Sequence, residues 1–360
     1  MVAAYLLAAT MMSREFPPSF HHSMRTQTMT FFSKVCQQSR RGLVLFGLSI
    51  AAIGVASAQA SDYPSKPIRL VVPFSPGSGT DLTTRLIASG MQDALKTTVV
   101  VENFPGASGQ IAATTVAKAK PDGYTLFFTT NTSQAANVSL FKSLPYDPIK
   151  DFAPVTLLSE TPFLLVVRKN MPVKNVKELV AWLKAHPSDA SYGFGNSTGQ
   201  VAGAALMQAM EVEAVPVPYK GTPAAASDVI GGRLAFMFID TAAAQAFIGA
   251  EGPLHPLAIT SVARSPLVPD VPTLLEATGV EDLDLVAWLA VYAPAGTPAD
   301  IVAKLNGVIH KTTSTPEYEA RAKSLSSDLK RSTPEELGAY TKAAIESWRS
   351  KIKAAGIQPQ

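Results

Sequence analysis

Short apolar runs rich in β-branched residues alternate with amphipathic segments from residue 68 onward. The first run, Ile68 to Phe74, predicts a buried strand, and a Gly-rich turn and a helix from Asp81 to Met91 follow it. The same order recurs over residues 97–120, and a strong strand pattern from Tyr124 to Thr129 ends in polar residues 130–133. Alternating strands and helices with apolar strands predict a parallel sheet covered on both faces.

A second series begins after the apolar run Phe163 to Val167, which has no obvious local partner strand. The predicted elements of this series are a helix over 174–186, a strand over 191–194, a turn over 195–199, a helix over 200–210, an extended segment over 215–218, a helix over 224–230 capped by Thr222, and strands over 234–239 and 257–260. The run Val286 to Ala293 predicts a strand that leads back to the first series. Length and apolar content support two domains.

Three helices are predicted at the end of the chain, each opened by a Thr-Pro pair that begins at Thr297, Thr315 or Thr333. The sequence from Thr333 to Glu336 fits a capping box, in which the first and fourth residues satisfy each other's backbone N–H groups. No new Gly-rich strand turn follows Thr297, so these helices are expected to pack on an existing domain.

The chain has no basic patch of the kind that binds nucleic acid, because its excess of basic residues lies at the N-terminus. Residues 1–60 hold five basic side chains and one acidic one, which leaves 26 basic and 27 acidic residues, a formal charge of −1, from residue 61 on. Arg40-Arg41, the apolar run over 42–56 and Ala58-Gln59-Ala60 predict a secretory signal cleaved near Ala60 and a periplasmic location. The run is shorter than the roughly 20 residues of a membrane span. The true start (Met1, Met24 or Met29) and the route, general secretory or twin-arginine, stay open.

The turns that follow the strands carry the candidate chemistry. Unpaired backbone N–H groups and the positive end of a helix dipole surround the turn Ser75–Asp81, which suits an anion. A second such turn covers Gly195–Gly199, and ligands of parallel sheets bind beyond the carboxyl ends of strands. The predicted ligand-binding residues are Phe74, Ser75, Pro76, Gly77, Ser78, Gly79, Thr80, Asp81, Thr130, Asn131, Asn196, Ser197, Thr198, Gly199, Tyr219 and Asp240.

The role of Asp81 has two interpretations at this point. Its carboxylate can cap its own helix, since aspartate is among the best N-terminal caps, or it can meet a cationic group of the ligand. Capping is the prediction made here.

A serine hydrolase is the alternative function. Gly195-Asn196-Ser197-Thr198-Gly199 matches the G-x-S-x-G nucleophile elbow, and Asp240 and then His255 or His310 follow in the order that a catalytic triad of this class needs. A dinucleotide site is disfavoured because Leu82 stands where the third glycine is required. The histidines after residue 60 lack the spacing of a metal site, and no cofactor is predicted. Trp288 is expected in the core or hinge, or lining a cleft.

Several motifs together resemble a known family. They are Tyr63–Phe74 followed by Pro76-Gly77 and Asp81, Val101-Glu102-Asn103 with Pro105-Gly106-Ala107, residues 121–126, 144–148, 218–221, 268–273 and 293–298, and Ala355-Gly356-Ile357. Over essentially all of 62–360 the chain resembles Bug-type receptors, the extracytoplasmic solute-binding proteins of tripartite tricarboxylate transporters. The match is imperfect at Gly77-Ser78, where the family often has two glycines, and at Gln200, where it often has histidine.

The resemblance implies a non-enzymatic α/β clamshell of the periplasmic-binding-protein type with its ligand in the interdomain cleft. The first domain would comprise residues 61–163 and 287–360, the second residues 164–286, and residues 1–60 would be the extension and signal peptide. It further implies a small carboxylate ligand, a membrane permease as partner and a monomeric receptor. The imperfect matches leave the ligand's identity open, and the existence of a cognate permease stays open too.

Overall fold

The computed structural model describes residues 63–324 and 327–360. The predicted signal segment lies outside these residues. Within them, no helix combines the length and the apolar character that crossing a membrane requires.

The strands fall into two groups, which are called here the first and second lobes. The elements of the first lobe up to the crossing are β1 (Ile68–Val72), α1 (Gly79–Leu95), β2 (Val99–Asn103), a 3-10 turn (Ala107–Gly109), α2 (Gln110–Ala117), β3 (Thr125–Thr130), a π-helical turn (Thr132–Ala136) and α3 (Asn137–Leu140). The long strand β4 (Phe152–Arg168) then runs from the first lobe into the second.

The second lobe contains the repeated strand–turn–helix pattern. Its elements are α4 (Val176–Ala185), β5 (Ser191–Phe194), α5 (Ser197–Ala209), β6 (Val215–Pro218), α6 (Thr222–Ile230), β7 (Phe236–Asp240), α7 (Thr241–Ala244), β8 (Leu254–Ile259) and α8 (Leu274–Thr278). The chain returns through β9 (Val286–Pro294) and ends with α9 (Ala299–Thr313), α10 (Pro316–Ser324), β10 (Asp328–Leu329) and α11 (Pro334–Ala354), which belong to the first lobe.

The strands follow the order β2-β1-β3-β9-β4-β7-β5-β6, with β8 and β10 also paired to β4. The pairs β1–β2, β1–β3, β5–β6 and β5–β7 are parallel, as predicted. The parallel pairing predicted from the alternation holds for these pairs, but the sheet as a whole is mixed, because β9 is antiparallel to β3 and β4, and β4 is antiparallel to β7 and β8. The cause is connectivity: β4 leaves the first lobe and β9 re-enters it, so neither arises from a βαβ crossover.

The crossing between the lobes is made by β4. Its first part, from Phe152 to Pro162, pairs with β9, and the part from Phe163 to Val167 pairs with β7. The predicted strand Phe163–Val167 is therefore the second-lobe part of a much longer strand. The α/β two-domain fold is confirmed, whereas the exact domain boundaries at residues 163 and 287 stay predictions.

Capping accounts for two helix starts. Thr333 accepts the N–H of Glu336, and the Glu336 carboxylate accepts the N–H of Thr333, so the predicted capping box is confirmed. The prediction that Thr222 caps the helix after β6 is wrong, because Gly221 holds the cap position and Thr222 is the first helical residue. Pro223 occupies the first turn, where its missing N–H costs nothing.

Candidate functional site

The turn after β1 positions the first wall of the site. Ser78 is the N-cap of α1, and its hydroxyl accepts the N–H of Asp81 at 3.3 Å. Gly77 has φ +81°, a left-handed conformation that a glycine adopts without strain. Phe74, Gly79 and Thr80 line a cavity between the two lobes.

Asp81 is buried and is not among the residues that line that cavity. Its carboxylate accepts the N–H of Gly77 at 2.9 Å, the Asn103 Nδ2 amide at 2.9 Å and the Arg85 Nε–H at 3.1 Å. Burial alone would raise the pKa of Asp81, but these hydrogen bonds from Arg85, Gly77 and Asn103 hold it below its usual value. The expected capping role is wrong in its detail, since Ser78 is the cap and Asp81 fixes the preceding turn by bonding Gly77.

The second wall is the start of α5. Asn196 is its N-cap, and the Asn196 side-chain oxygen accepts the N–H of Gly199 at 2.9 Å. The segment 195–199 was predicted as a turn, but the helix begins at Ser197, so Ser197, Thr198 and Gly199 form its first turn. Asn196 and Thr198 line the cavity.

A buried polar bridge joins the lobes beside the cavity. The Asn131 Nδ2 amide donates to Ser197 Oγ at 3.2 Å and to Thr198 Oγ1 at 3.0 Å, and the Thr132 and Ser197 hydroxyls lie 2.9 Å apart. The N–H of Ser197 also donates to Thr132 Oγ1 at 3.2 Å. The structure therefore pairs Asn131 and Ser197, two predicted ligand contacts, with side chains of the opposite lobe. The lobes are in contact at this point.

Asp240, at the end of β7, is the only charged side chain among the described residues that line the cavity. Its carboxylate accepts the N–H of Ala243 at 2.8 Å and thereby caps the short helix α7. Burial raises the pKa of Asp240 and so favours its neutral form, against the opposing effect of its hydrogen bonds. The Gly79 backbone of the first lobe packs directly on this carboxyl group, since a Cβ built on Gly79 would lie 2.0 Å from Asp240 Oδ1.

The cavity is small, with a volume of about 40 Å³. Small-molecule sites commonly span roughly 300–1,000 Å³, and a single water needs roughly 10–15 Å³. The cavity in this closed arrangement is thus too small for an acid with several carbon atoms. A ligand of that size would need the lobes to separate for its entry and the lining side chains to move when the lobes close around it.

The structure sorts the predicted site residues into two sets. Those that line the cavity are Phe74, Gly79, Thr80, Thr130, Asn196, Thr198 and Asp240. Those it places outside the lining are Ser75, Pro76, Gly77, Ser78, Asp81, Asn131, Ser197, Gly199 and Tyr219. Of these, Ser75 donates its hydroxyl to the Lys220 carbonyl oxygen at 3.2 Å, a second contact between the lobes, and Tyr219 donates its hydroxyl to Asp228 within its own lobe.

Sequence reasoning missed part of the lining. The additional residues are Thr83, Ser159, Thr161, Phe163, Ala242, Ala287, Trp288 and Leu289. Thr83 is one helical turn beyond Gly79, a spacing that could have revealed it. Ser159, Thr161 and Trp288 lie on β4 and β9, where the strands cross between the lobes, and only the pairing of those strands brings them to the turns. The expectation that Trp288 could line a cleft fits its position.

The hydrolase alternative lacks its catalytic geometry. Ser197 Oγ is engaged by Asn131 and Thr132, while His310 Nε2 lies 3.0 Å from Thr156 Oγ1 and 3.1 Å from the Ser332 carbonyl oxygen. No histidine lines the cavity in the described part of the chain. We expect a fluorophosphonate probe to leave Ser197 unlabelled, as measured by intact-protein mass spectrometry. Stoichiometric labelling that disappears in Ser197→Ala would contradict this.

Two α/β lobes joined by crossing strands, with strand–turn–helix units that line a cavity between them, define the class of two-domain periplasmic binding proteins. A family model described as tripartite tricarboxylate transporter family receptor matches residues 83–356. The chain belongs to this family. Its members are periplasmic substrate-binding receptors, not enzymes.

Two curated relatives illustrate the similarity over nearly the whole chain. A UPF0065 protein encoded in a ttuE–ttuC' intergenic region of Agrobacterium vitis is 36% identical over 341 residues, covering 91% of this chain and 96% of its own. The protein BugT of Bordetella pertussis is 32% identical over 323 residues, with 88% and 98% covered.

Solved structures agree with the fold. The periplasmic binding protein BugD superposes with a TM-score of 0.79 at 33% identity, covering 83% of this chain and all of its own. Rpa4515 of R. palustris, solved with adipate, has a TM-score of 0.79 at 32% identity, with 83% and 100% covered. MatC of Rhodopseudomonas palustris, solved with malate, has a TM-score of 0.75 at 33% identity, with 81% and 100% covered.

Proposed function

We propose that this protein is a periplasmic receptor that captures a small carboxylic acid between its lobes for the permease of a tripartite tricarboxylate transporter. The observation that carries the proposal is the cavity between the lobes, which is lined by hydroxyl and amide groups at the starts of two helices, one in each lobe. Two relatives of about the same identity hold adipate and malate. The chain would be exported by the signal ending near Ala60 and act as a monomer.

The proposed ligand contacts are the lining residues of the two turns together with Thr130 and Asp240. Thr80 and Thr198 offer hydroxyl donors from opposite lobes, and Phe74 offers an apolar surface. A charged carboxylate about 4 Å from a charged Asp240 would cost on the order of 4 kcal/mol at an effective dielectric of about 20. Burial raises the pKa of Asp240, a shift in the direction that would reduce this repulsion.

Entry of the ligand would require a hinge. The covalent connections between the lobes run through β4 and at the start of β9. The β4–β9 pairing ends at Pro162 and Val286, and β4 pairs with β7 from Phe163 on. When two domains close around a ligand, a few such residues undergo the changes in backbone dihedral angles that the motion requires. The bridge between Asn131 and Ser197 would break on opening and re-form, in whole or in part, on closure.

A thermal-shift screen tests this function. A small dicarboxylate of the adipate or malate type, present at about 100 times its Kd, is expected to stabilise the protein by about 2.7 kcal/mol, because it binds only the folded state. The dimethyl ester of the same acid is the control, since it keeps the carbon chain and loses both charges. An ester shift equal to that of the acid, or no shift with any small carboxylate, would contradict the proposal.

A further inference from the structure

Trp288 is the large aromatic side chain on β9 at the lobe crossing. It is 2% exposed and lies between two spaces, because it lines both the cavity between the lobes and a 240 Å³ groove between β9 and α11. The ring of Tyr340, on α11, packs edge-on against the indole, with centroids 5.5 Å apart and planes at 84°. The Tyr340 hydroxyl in turn donates to Glu160 Oε1 at 2.8 Å. These contacts hold the indole in one orientation from the side of α11.

The indole N–H of Trp288 is buried and has no hydrogen-bond partner among the described residues. An indole nitrogen can only donate, and buried tryptophan N–H groups usually find an acceptor. Leaving such a donor unpaired costs about 1–3 kcal/mol. A donor with this cost, on a residue that lines the ligand cavity, is satisfied if the bound ligand brings an acceptor within its reach.

The composition of the cavity wall makes a neutral donor necessary. No lysine, arginine or histidine lines the cavity in residues 63–324 and 327–360. A carboxylate must then be held by hydroxyl, amide and indole donors. The Asn131 amide and the Ser197 hydroxyl are already engaged with each other in the bridge, whereas the Trp288 N–H is rigidly placed and free.

We infer that the indole N–H of Trp288 donates a hydrogen bond to the carboxylate of the bound acid. This inference rests on the proposed function and assigns the carboxylate end of the ligand to the β9 side of the cavity. Trp288 would thereby select acids over their amides and esters, since only the charged oxygen makes the stronger, charge-assisted hydrogen bond.

The test separates the N–H from the shape of the ring. Incorporating benzothienylalanine at position 288 alone replaces the N–H by sulfur and keeps the bicyclic ring, and Trp288→Phe removes both. The unmodified protein is first titrated with adipate and with malate by calorimetry. The acid that binds is then expected to bind each of the two variants about tenfold more weakly. Trp348→Phe, a buried tryptophan on α11 outside the cavity lining, is the matched control and should keep the affinity.

The outcomes distinguish the inference from the proposed function. If the benzothienylalanine variant binds the acid with unchanged affinity, the inference is overturned and the receptor function still stands. A loss of affinity in Trp288→Phe alone would then be assigned to the shape of the ring. If neither acid binds the unmodified protein, while other small carboxylates in the thermal-shift screen also fail, the proposed function fails and the inference with it.

Discussion

Replacing Gly79 with alanine is expected to weaken acid binding about 100-fold without unfolding the protein. The new Cβ would lie 2.0 Å from Oδ1 and 2.7 Å from Cγ of Asp240, in the opposite lobe. Asp240 cannot swing aside freely because it caps α7 through Ala243. Overpacking of this kind costs about 1–3 kcal/mol, and a cost at the upper end, confined to the closed state, lowers affinity about 100-fold.

The Gly79→Ala effect is measured by titration calorimetry together with thermal melting of the free protein. The melt is expected to change little, because the free protein can relieve the clash by opening its lobes and because alanine favours the helix start. Adding Asp240→Ala removes the atoms that the methyl group meets, so the double variant should lose less affinity than the two single losses combined. A Gly79→Ala variant that binds the acid as well as the unmodified protein would show that binding does not need this closure.

Replacing Gly195 with alanine is expected to lower stability instead, by about 3 kcal/mol. Its Cβ would lie 2.4 Å from the carbonyl carbon of Gly221 and 2.5 Å from the backbone N of Thr222. These are backbone atoms of the same lobe, where the turn after β5 touches the turn after β6, so the clash is present whether the lobes are open or closed. At roughly 2–4 °C per kcal/mol for large domains, the melting temperature should fall by about 6–12 °C.

Gly307→Ala is the control for both substitutions. Gly307 lies inside α9, and a Cβ there would meet no atom within 4 Å. Alanine at this position should leave affinity unchanged and raise stability slightly, by about 0.5–1 kcal/mol. A Gly195→Ala variant that melts at the same temperature as Gly307→Ala would contradict the packing of the two turns.

Local patterns predicted the strand–turn–helix units well. The run that begins at Ile68, the strand Ser191–Phe194 and the return strand at Val286 all form where the sequence places them, because β-branched runs bounded by turn residues leave few alternatives. The Thr-Pro pairs likewise mark the starts of the final helices. These features depend on neighbours within a few residues, which a sequence displays directly.

Two elements escaped prediction because their local sequence argues against them. β4 contains Pro154 and Pro162, which cannot donate to a ladder, yet it extends for 17 residues with register shifts near Pro154 and Leu157. The helical segment after β3 begins with Asn131-Thr132-Ser133, residues typical of turns, and is stabilised by packing against α11 near the other end of the chain.

The part of the site contributed by the turns was accessible from sequence, and the part contributed by the crossing strands was not. The two turns that the sequence predicts as anion-binding sites contain Gly79, Thr80, Asn196 and Thr198. Trp288 reaches the same cavity only because β9 pairs with β4. Strand pairing over more than a hundred residues leaves no signal in a single sequence.

A crystal structure of the purified protein with the acid that gives the largest thermal shift tests most directly whether the ligand is held between the lobes. We expect the acid in the cavity, with a carboxylate oxygen within hydrogen-bond distance of Thr80, Thr198 or the Trp288 N–H. An acid bound instead in the 240 Å³ groove between β9 and α11, beside Trp348 and Lys351, with the interlobe cavity unchanged, would contradict the proposed site.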